Sequence, residues 1–301
     1  MNHGRCLGLT ALLCMFLAAA AAPAAIPAGS ALQVHLKYAH RSALAEPALR
    51  SSAALVLDAT HSSVLYSRRS SVALPIASIT KLMTALVVMD AGQALDEPLE
   101  ITADDRSTGK GSVSRLLPGT RLTRGDLMHL ALMASENRAA HALGRNYPGG
   151  VAACVDAMNA KARELGMTNA HFVEPTGLSD ENVASPEDLS KLVMAAAKVP
   201  QIREYSTDGT FVVQIGRRLV RFGNTDSLVR RPDWNIVVQK TGYISQAGRC
   251  LVMQTVIEDR TVVIVLLNSF GKHTRVADAR RIRRWMEATL LTHEAAPATS
   301  T

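Results

Sequence analysis

Strand-like runs stand at both ends of this chain, and helical periodicity fills the middle. Near the N-terminus, Ser52 to Asp58 and Val64 to Arg68 are short β-like runs separated by Ala59-Thr60-His61-Ser62-Ser63, the pattern of a hairpin. Toward the C-terminus, Asn235 to Thr241, Arg249 to Ile257 and Val262 to Leu267 are longer runs of the same kind, and Glu258-Asp259-Arg260 turns the last two into another hairpin. The arrangement predicts an α/β (α+β) fold. One antiparallel sheet of about five strands is built from both chain ends and flanked by helices, with a mainly helical region inserted.

Helix boundaries in the insertion are marked by capping chemistry. Thr123-Arg124-Gly125-Asp126 is a capping pattern that opens a helix through Leu127, Leu130, Leu132 and Met133. Ser135-Glu136-Asn137 interrupts it, and a further helical stretch runs from Arg138 to Leu143. Val151 to Leu165 is the next helix, with Gly166 as its stop. Ser185-Pro186-Glu187-Asp188 supplies an N-cap, a proline at N1 and an acid at N3 for a helix to about Lys198. Asp96 to Leu122 is polar and is expected to hold irregular or short elements. After Pro200 the pattern changes to strands, with Thr210 to Gln214 and Arg218 to Phe222 as a hairpin around Gly216. A closing helix runs from about Thr274 to Leu291, and there is no internal repeat.

A chain of 301 residues can bury a large core, and 48% hydrophobic residues with only 4% aromatics describe an alanine-rich globular protein rather than a disordered one. Residues 1–25 differ from the rest. Arg5 is their only charge, Leu7 to Leu17 is largely apolar and Ala18 to Ala25 is small, which reads as a secretory signal peptide cleaved after Ala22 or Ala25. The apolar core is short for a membrane span, so no stable membrane anchor is expected there. Residues 26–50 carry Pro27, Gly29 and Pro47 without a clear period and read as a linker or flexible arm. Removing the signal deletes Arg5 and no acid, so the formal charge falls from +7 to +6. A basic exported protein suits anionic surroundings such as cell-wall polymers or lipid head groups, or is simply kept soluble by its charge. Cys154 and Cys250 could pair in an oxidising compartment, but both sit in apolar segments and read rather as buried free thiols, and no metal site is expected with so few ligands.

The candidate chemistry begins at Pro75-Ile76-Ala77-Ser78-Ile79-Thr80-Lys81-Leu82-Met83-Thr84-Ala85. On a helix, Ser78 and Lys81 share a face, and a desolvated lysine can take the proton of a serine hydroxyl and make it a nucleophile. The pattern alone is weak, because Ser78 could equally be an N-cap or first-turn serine. Ser107-Thr108-Gly109-Lys110 has the same spacing, but its flanks Asp104, Asp105, Arg106 and Gly111 read as a solvated loop. At the end of a strand, Gly242 permits close backbone approach, while Lys240 and the Thr241 hydroxyl could hold a carboxylate. Lys240 could also be a plain strand-end charge. Ser135 and Asn137 either cap helices or point into a cleft from the helix break.

Taken in order, Ser78-x-x-Lys81, Ser135-x-Asn137 and Lys240-Thr241-Gly242 resemble the motifs of the penicillin-binding proteins and serine β-lactamases. The resemblance covers about residues 50–290 and is strongest toward low-molecular-mass serine DD-peptidases of the endopeptidase type. Pro75-Ile76-Ala77-Ser78, Ala134-Ser135-Glu136-Asn137-Arg138-Ala139-Ala140 and Phe172-Val173-Glu174-Pro175-Thr176-Gly177-Leu178 carry it. It implies a catalytic domain over residues 51–292 with a tail at 293–301. It also implies Ser78 as nucleophile, Lys81 as base beside the second cation Lys240, and Ser135 as relay of a proton to the leaving amine. Asn137 would orient Lys81 and the substrate amide, Lys240 and Thr241 would hold the neighbouring carboxylate, and the backbone N–H groups of Ser78 and Tyr243 would form the oxyanion hole. Implied partners are cross-linked muropeptides of peptidoglycan, β-lactam antibiotics and lytic wall enzymes. No nucleic acid, cofactor or metal is implied.

Within that resemblance, a periplasmic DD-endopeptidase and a DD-carboxypeptidase share the acyl-enzyme chemistry. Such carboxypeptidases usually continue into a second β-rich domain and an amphipathic C-terminal helix, whereas this sequence ends soon after the closing helix, which favours the endopeptidase. A β-lactamase is less favoured because Leu178 stands where one class carries an asparagine four positions after its glutamate, so Glu174 reads as a loop residue. A non-catalytic β-lactam or wall-fragment sensor is disfavoured by the full set Ser78, Lys81, Ser135, Asn137 and Lys240. Arg280, Arg281, Arg283 and Arg284 read as a solvated helix face rather than a wall-binding patch.

Overall fold

The computed structural model describes residues 37–38, 46–106 and 114–294. These belong to one compact unit, Ala31–Thr301, and the other unit, Met1–Ser30, lies outside the described residues, as do the expected signal peptide, Ser107 to Lys110 and most of the tail. The chain enters through β1 (Lys37–Tyr38), which pairs in parallel with a later strand, so the stretch at 26–50 contributes a short sheet edge despite its lack of period. The first hairpin follows as β2 (Ser51–Asp58) and β3 (Ser63–Arg68). β4 (Leu74–Pro75) and a 3-10 turn at Ala77–Ile79 lead into α1 (Thr80–Asp90). Thr80 to Val88 are all buried, as expected of a helix that is apolar around its circumference.

Between α1 and the next helix, β5 (Pro98–Glu100) pairs with β6 (Arg121–Thr123). α2 (Arg124–Met133) then starts at the capping box anticipated from sequence: the Asp126 amide donates to Thr123 Oγ1 at 3.0 Å and the Thr123 amide donates back to Asp126 Oδ2 at 3.2 Å. α3 (Asn137–Arg145) and α4 (Gly150–Glu164) complete the central helices. β7 (Val183–Ala184) pairs with β4 and precedes α5 (Pro186–Ala196), which Ser185 and Asp188 cap reciprocally. The strand pattern expected directly after Pro200 is displaced by α6 (Pro200–Thr207). Proline at N1 and the burial of Ile202 and Ser206 against neighbouring elements favour this helix, which at 8 residues is too short to show a period.

β8 (Thr210–Ile215) and β9 (Arg218–Gly223) form the hairpin around Gly216, and β10 (Asn235–Ile244), β11 (Gly248–Ile257) and β12 (Arg260–Ser269) close the main sheet. Its strand order is β1-β3-β2-β12-β11-β10, and all pairings from β3 to β10 are antiparallel. β12 joins the two chain ends by pairing with β2, Val262 opposite Asp58 and Ser269 opposite Ser51. α7 (Thr274–Glu294) crosses one face.

Both faces of the sheet are covered, which explains why its strands read as near-continuous apolar runs instead of alternating ones. Leu55, Leu57, Val252, Val263, Val265 and Leu267 pack into the core shared with α1, α2, α4 and α5. Ala54, Val56, Leu251, Met253, Ile264 and Leu266 face Ala279, Ile282 and Met286 of α7. Cys154 and Cys250 are free and buried, as expected from their apolar flanks. Among the described residues no helix is long and apolar enough to cross a membrane.

Asp278 fastens α7 to the start of the sheet. Its buried carboxylate accepts from the Ser51 amide (2.8 Å), the Ser51 hydroxyl (2.6 Å) and the Arg50 amide (3.0 Å), and pairs with Arg281 at 2.6 Å. Removing it strands several buried donors together, so Asp278→Ala should lower stability by about 3 kcal/mol. Urea unfolding measures this, and a loss below about 1 kcal/mol would show that water replaces the carboxylate.

Candidate active site

Three separate segments converge on one lysine. The 3-10 turn places Ser78 immediately before α1, so Ser78 and Lys81 keep the i, i+3 relation expected of a helix although Ser78 itself precedes the α-helical part. Lys81 Nζ lies 2.9 Å from Ser78 Oγ, 2.7 Å from Asn137 Oδ1 and 2.5 Å from the Thr176 carbonyl oxygen. An ammonium would donate to all three. A neutral amine has two N–H bonds for Asn137 and Thr176, and its lone pair is then left facing the Ser78 hydroxyl. The same geometry therefore serves both protonation states, and proton transfer from Ser78 needs no rearrangement.

Lys81 is 1% exposed. Burial lowers its pKa to about 8, and the negative charges of Glu174 and Glu136 oppose that fall. At pH 7 about a tenth of the lysine is neutral. Burial is the leading cause. Lys240, itself buried, is held well below the usual lysine value by burial first and then by the charges of Lys81 and Arg275, so the two lysines oppose each other's protonation.

Ser135 and Lys240 form the opposite wall. The chain breaks between α2 and α3 at Ser135, whose φ of 59° is left-handed, and this turns its hydroxyl toward Lys240 Nζ at 2.9 Å. Glu136 caps α3 by accepting from the Arg138 amide at 3.3 Å, which starts the helix at Asn137. Lys240 also donates to the Thr241 carbonyl at 2.9 Å, and the Thr241 hydroxyl is 2.7 Å from that of Thr225. Tyr243 lies beyond them, 56% exposed, with the Arg249 guanidinium 4.4 Å from its ring centre.

Two glycines bracket the Ser78 turn. Gly242, on the sheet-edge strand β10, runs so close that an added Cβ would lie 2.8 Å from the Ile76 carbonyl oxygen and 3.2 Å from the Ser78 nitrogen. From another side, Gly177 (φ 79°) leaves no room for a Cβ against the Ala77 carbonyl. Ala77 itself is left-handed (φ 49°), a strained conformation held by hydrogen bonds from Thr80 Oγ1 to its carbonyl (2.8 Å) and from the Ile76 amide to the Asn182 carbonyl (3.0 Å).

Residues 40–271 match the peptidase family described as D-alanyl-D-alanine carboxypeptidase. A D-alanyl-D-alanine endopeptidase of Pseudomonas aeruginosa is 48% identical over 241 residues, covering 79% of this chain and 78% of that protein. One of Escherichia coli is 44% identical over 257 residues, covering 85% and 83%. Among solved structures, a Streptomyces DD-transpeptidase superposes with a TM-score of 0.76 at 25% identity, covering 81% of this chain and all of that one. The chain belongs to this peptidase family. Ser78, Lys81, Ser135, Asn137 and Lys240 to Tyr243 all fall inside the matched span.

Sequence reasoning missed several residues that the structure brings against these groups. Arg275, at the start of α7, donates from Nη1 to the Gly242 carbonyl at 2.9 Å and is the second cation beside Lys240. Nothing local marked it out among the many arginines of that helix. Asn182 is fully buried and bonds both the Glu174 loop and Thr80 Oγ1. Glu174, read as a loop residue, organises that loop with both carboxylate oxygens. An acid within Glu174-Pro175-Thr176-Gly177 was the available signal.

The contact at Gly242 predicts that Gly242→Ala forces apart two backbones rather than a flexible side chain. Stability should fall by about 1–3 kcal/mol, measured by urea unfolding. A variant as stable as the parent would show that β10 and the Ser78 turn can separate at no cost.

Proposed function

We propose that this protein is an exported serine DD-endopeptidase that hydrolyses D-alanyl–diaminopimelate cross-links of peptidoglycan through an acyl-enzyme at Ser78. The observation that carries the chemistry is the 2.9 Å contact between a buried Lys81 amine and the Ser78 hydroxyl, with Asn137 and Thr176 taking the remaining N–H bonds. Ser78 Oγ attacks the carbonyl carbon of the D-alanine and its proton passes to Lys81. The oxyanion is held by the backbone N–H groups of Ser78 and Tyr243, which the approach of Gly242 to Ser78 supports. As the C–N bond breaks, the leaving amine takes a proton through Ser135, whose hydroxyl sits on Lys240. Water then cleaves the ester and restores Ser78. Lys240, Thr241 and Arg275 offer cation, hydroxyl and cation to the carboxylate beside the scissile bond.

The endopeptidase reading is supported by relatives at 48% and 44% identity that both carry that name, whereas a carboxypeptidase of Bacillus subtilis is 29% identical. Export is supported by the apolar, small-residue pattern of residues 1–25, which fits a periplasmic location for a catalytic domain over 51–292. Substrates and ligands are then cross-linked muropeptides and β-lactams, and lytic wall enzymes work on the same polymer.

Penicillin should acylate Ser78 and leave slowly, because both Glu174 oxygens are engaged by loop donors and neither is placed to activate water. Since the base must be neutral, the acylation rate should rise with pH through about 8 and level off above it. Lys81→Arg should slow it by at least about two orders of magnitude. Intact-mass spectrometry with peptide mapping over a pH series measures all of this, and an adduct on another serine refutes the assignment.

The leaving group distinguishes the two peptidase readings. Dimeric muropeptides with a D-alanyl–diaminopimelate bridge should be split to monomers, while monomeric pentapeptide is trimmed slowly. Chromatography of the two digests decides, and rapid release of free D-alanine with intact dimers would establish the carboxypeptidase instead.

A further inference from the structure

Glu174 lies at the centre of a hydrogen-bond web that ends on the reacting groups. Its Oε2 accepts from the Thr176 amide at 2.6 Å, and its Oε1 accepts from the Gly177 amide at 2.5 Å and from Asn182 Nδ2 at 2.9 Å. The Ser179 amide adds a longer contact of 3.4 Å. Asn182 in turn donates to Thr80 Oγ1, and Thr80 holds the Ala77 carbonyl. The carboxylate thus fixes one short turn with two outputs. One is the Thr176 carbonyl, which receives Lys81 Nζ at 2.5 Å. The other is Gly177, pressed against the Ala77–Ser78 backbone.

Resting on the reading of Ser78 and Lys81 given above, we propose that Glu174 is a positioning residue for the acylation step: its ionised carboxylate builds the turn whose Thr176 carbonyl aims the Lys81 amine and whose Gly177 backs the Ser78 turn. A loop-closing role alone would be met by any group able to accept backbone N–H bonds. The charge adds something a neutral acceptor lacks. Glu174 is the leading anionic influence on Lys81 and is followed by Glu136 at the start of α3. On the opposite side stands Lys240 of β10, which itself faces Arg275 of α7 and the buried Asp226. Burial pulls the lysine toward neutrality, and Glu174 keeps its proton affinity high enough for it to act as a base strong enough to deprotonate serine.

The sign of the effect follows. Removing the anion makes Lys81 easier to deprotonate, so the pH at which acylation reaches half its plateau must fall. A shorter side chain that retains charge loosens the turn and should lower the plateau instead. Penicillin acylation of Ser78 is therefore measured by intact mass between pH 5.5 and 10 in the full chain, in Glu174→Gln and in Glu174→Asp. Glu174→Gln should move the midpoint down by about half a pH unit or more and reduce the plateau. Glu174→Asp should keep the midpoint near that of the parent and reduce the plateau at least about threefold. An unmoved midpoint in Glu174→Gln overturns the proposal. Should Glu174→Gln fail to fold, Glu174→Asp decides: a parental plateau overturns the proposal, and a lowered plateau at the parental midpoint supports it. Absence of any adduct in the parent would overturn the Ser78 reading and this proposal with it, whereas a normal parental profile beside an unmoved Glu174→Gln midpoint overturns this proposal alone.

Discussion

A lysine amine buried among three acceptors is the constraint on which the rest of this structure depends. Taking an ammonium out of water is unfavourable by several kcal/mol, and a fold tolerates it only where fixed dipoles replace the solvent. Lys81 obtains those dipoles from the turn just before its own helix, from the first residue of α3 and from the loop after Phe172. None of these segments is near another in sequence. The compensation is partial, and the lysine gives up its proton near pH 8 rather than above 10. The deficit in solvation is the source of its usefulness as a base.

Holding such a group requires a rigid surround, and the sheet supplies it. β10 lies at the edge, with its backbone against the Ser78 turn at Gly242, while Gly177 closes on the same turn from the loop. A side chain at either position would separate the nucleophile from its neighbours. The strain at Ala77, left-handed without being glycine, is sustained by this packing, by the Thr80 hydroxyl donating to its carbonyl and by the Ile76 amide donating to the Asn182 carbonyl, while Ser135, also left-handed, is held by the Lys240 amine.

The second lysine obeys a different balance. Lys240 is buried and faces two other cations, Lys81 and Arg275, so full protonation of all three is disfavoured. Asp226 is the buried acid in their neighbourhood, and burial raises its own pKa while the Leu228 amide, Arg275, Arg230 and Lys240 pull it down. An anionic group entering beside Lys240 and Arg275 would offset that repulsion and favour their protonated forms.

Local pattern was enough to place strands at both ends of the chain, the capping boxes at Thr123 and Ser185, the helix break at Ser135 and the i, i+3 pairing of Ser78 with Lys81. These depend on residues within a few positions of one another, where periodicity and capping chemistry act directly. The helix α6 escaped because eight residues are too few to set a period, and its form is decided by packing. Glu174, Asn182 and Arg275 escaped for a stronger reason. Asn182 and Arg275 act through contacts with segments tens of residues away, and the loop that Glu174 ties together matters only because it meets Lys81; a glutamate in a loop, a buried asparagine and one arginine among several look ordinary until the sheet has brought the chain ends together. The sequence by itself determined which groups could react. Only the tertiary structure decided that Lys81 is desolvated, that the loop held by Glu174 meets it and that Arg275 joins Lys240, because burial and charge proximity are properties of packed neighbours and not of the chain order.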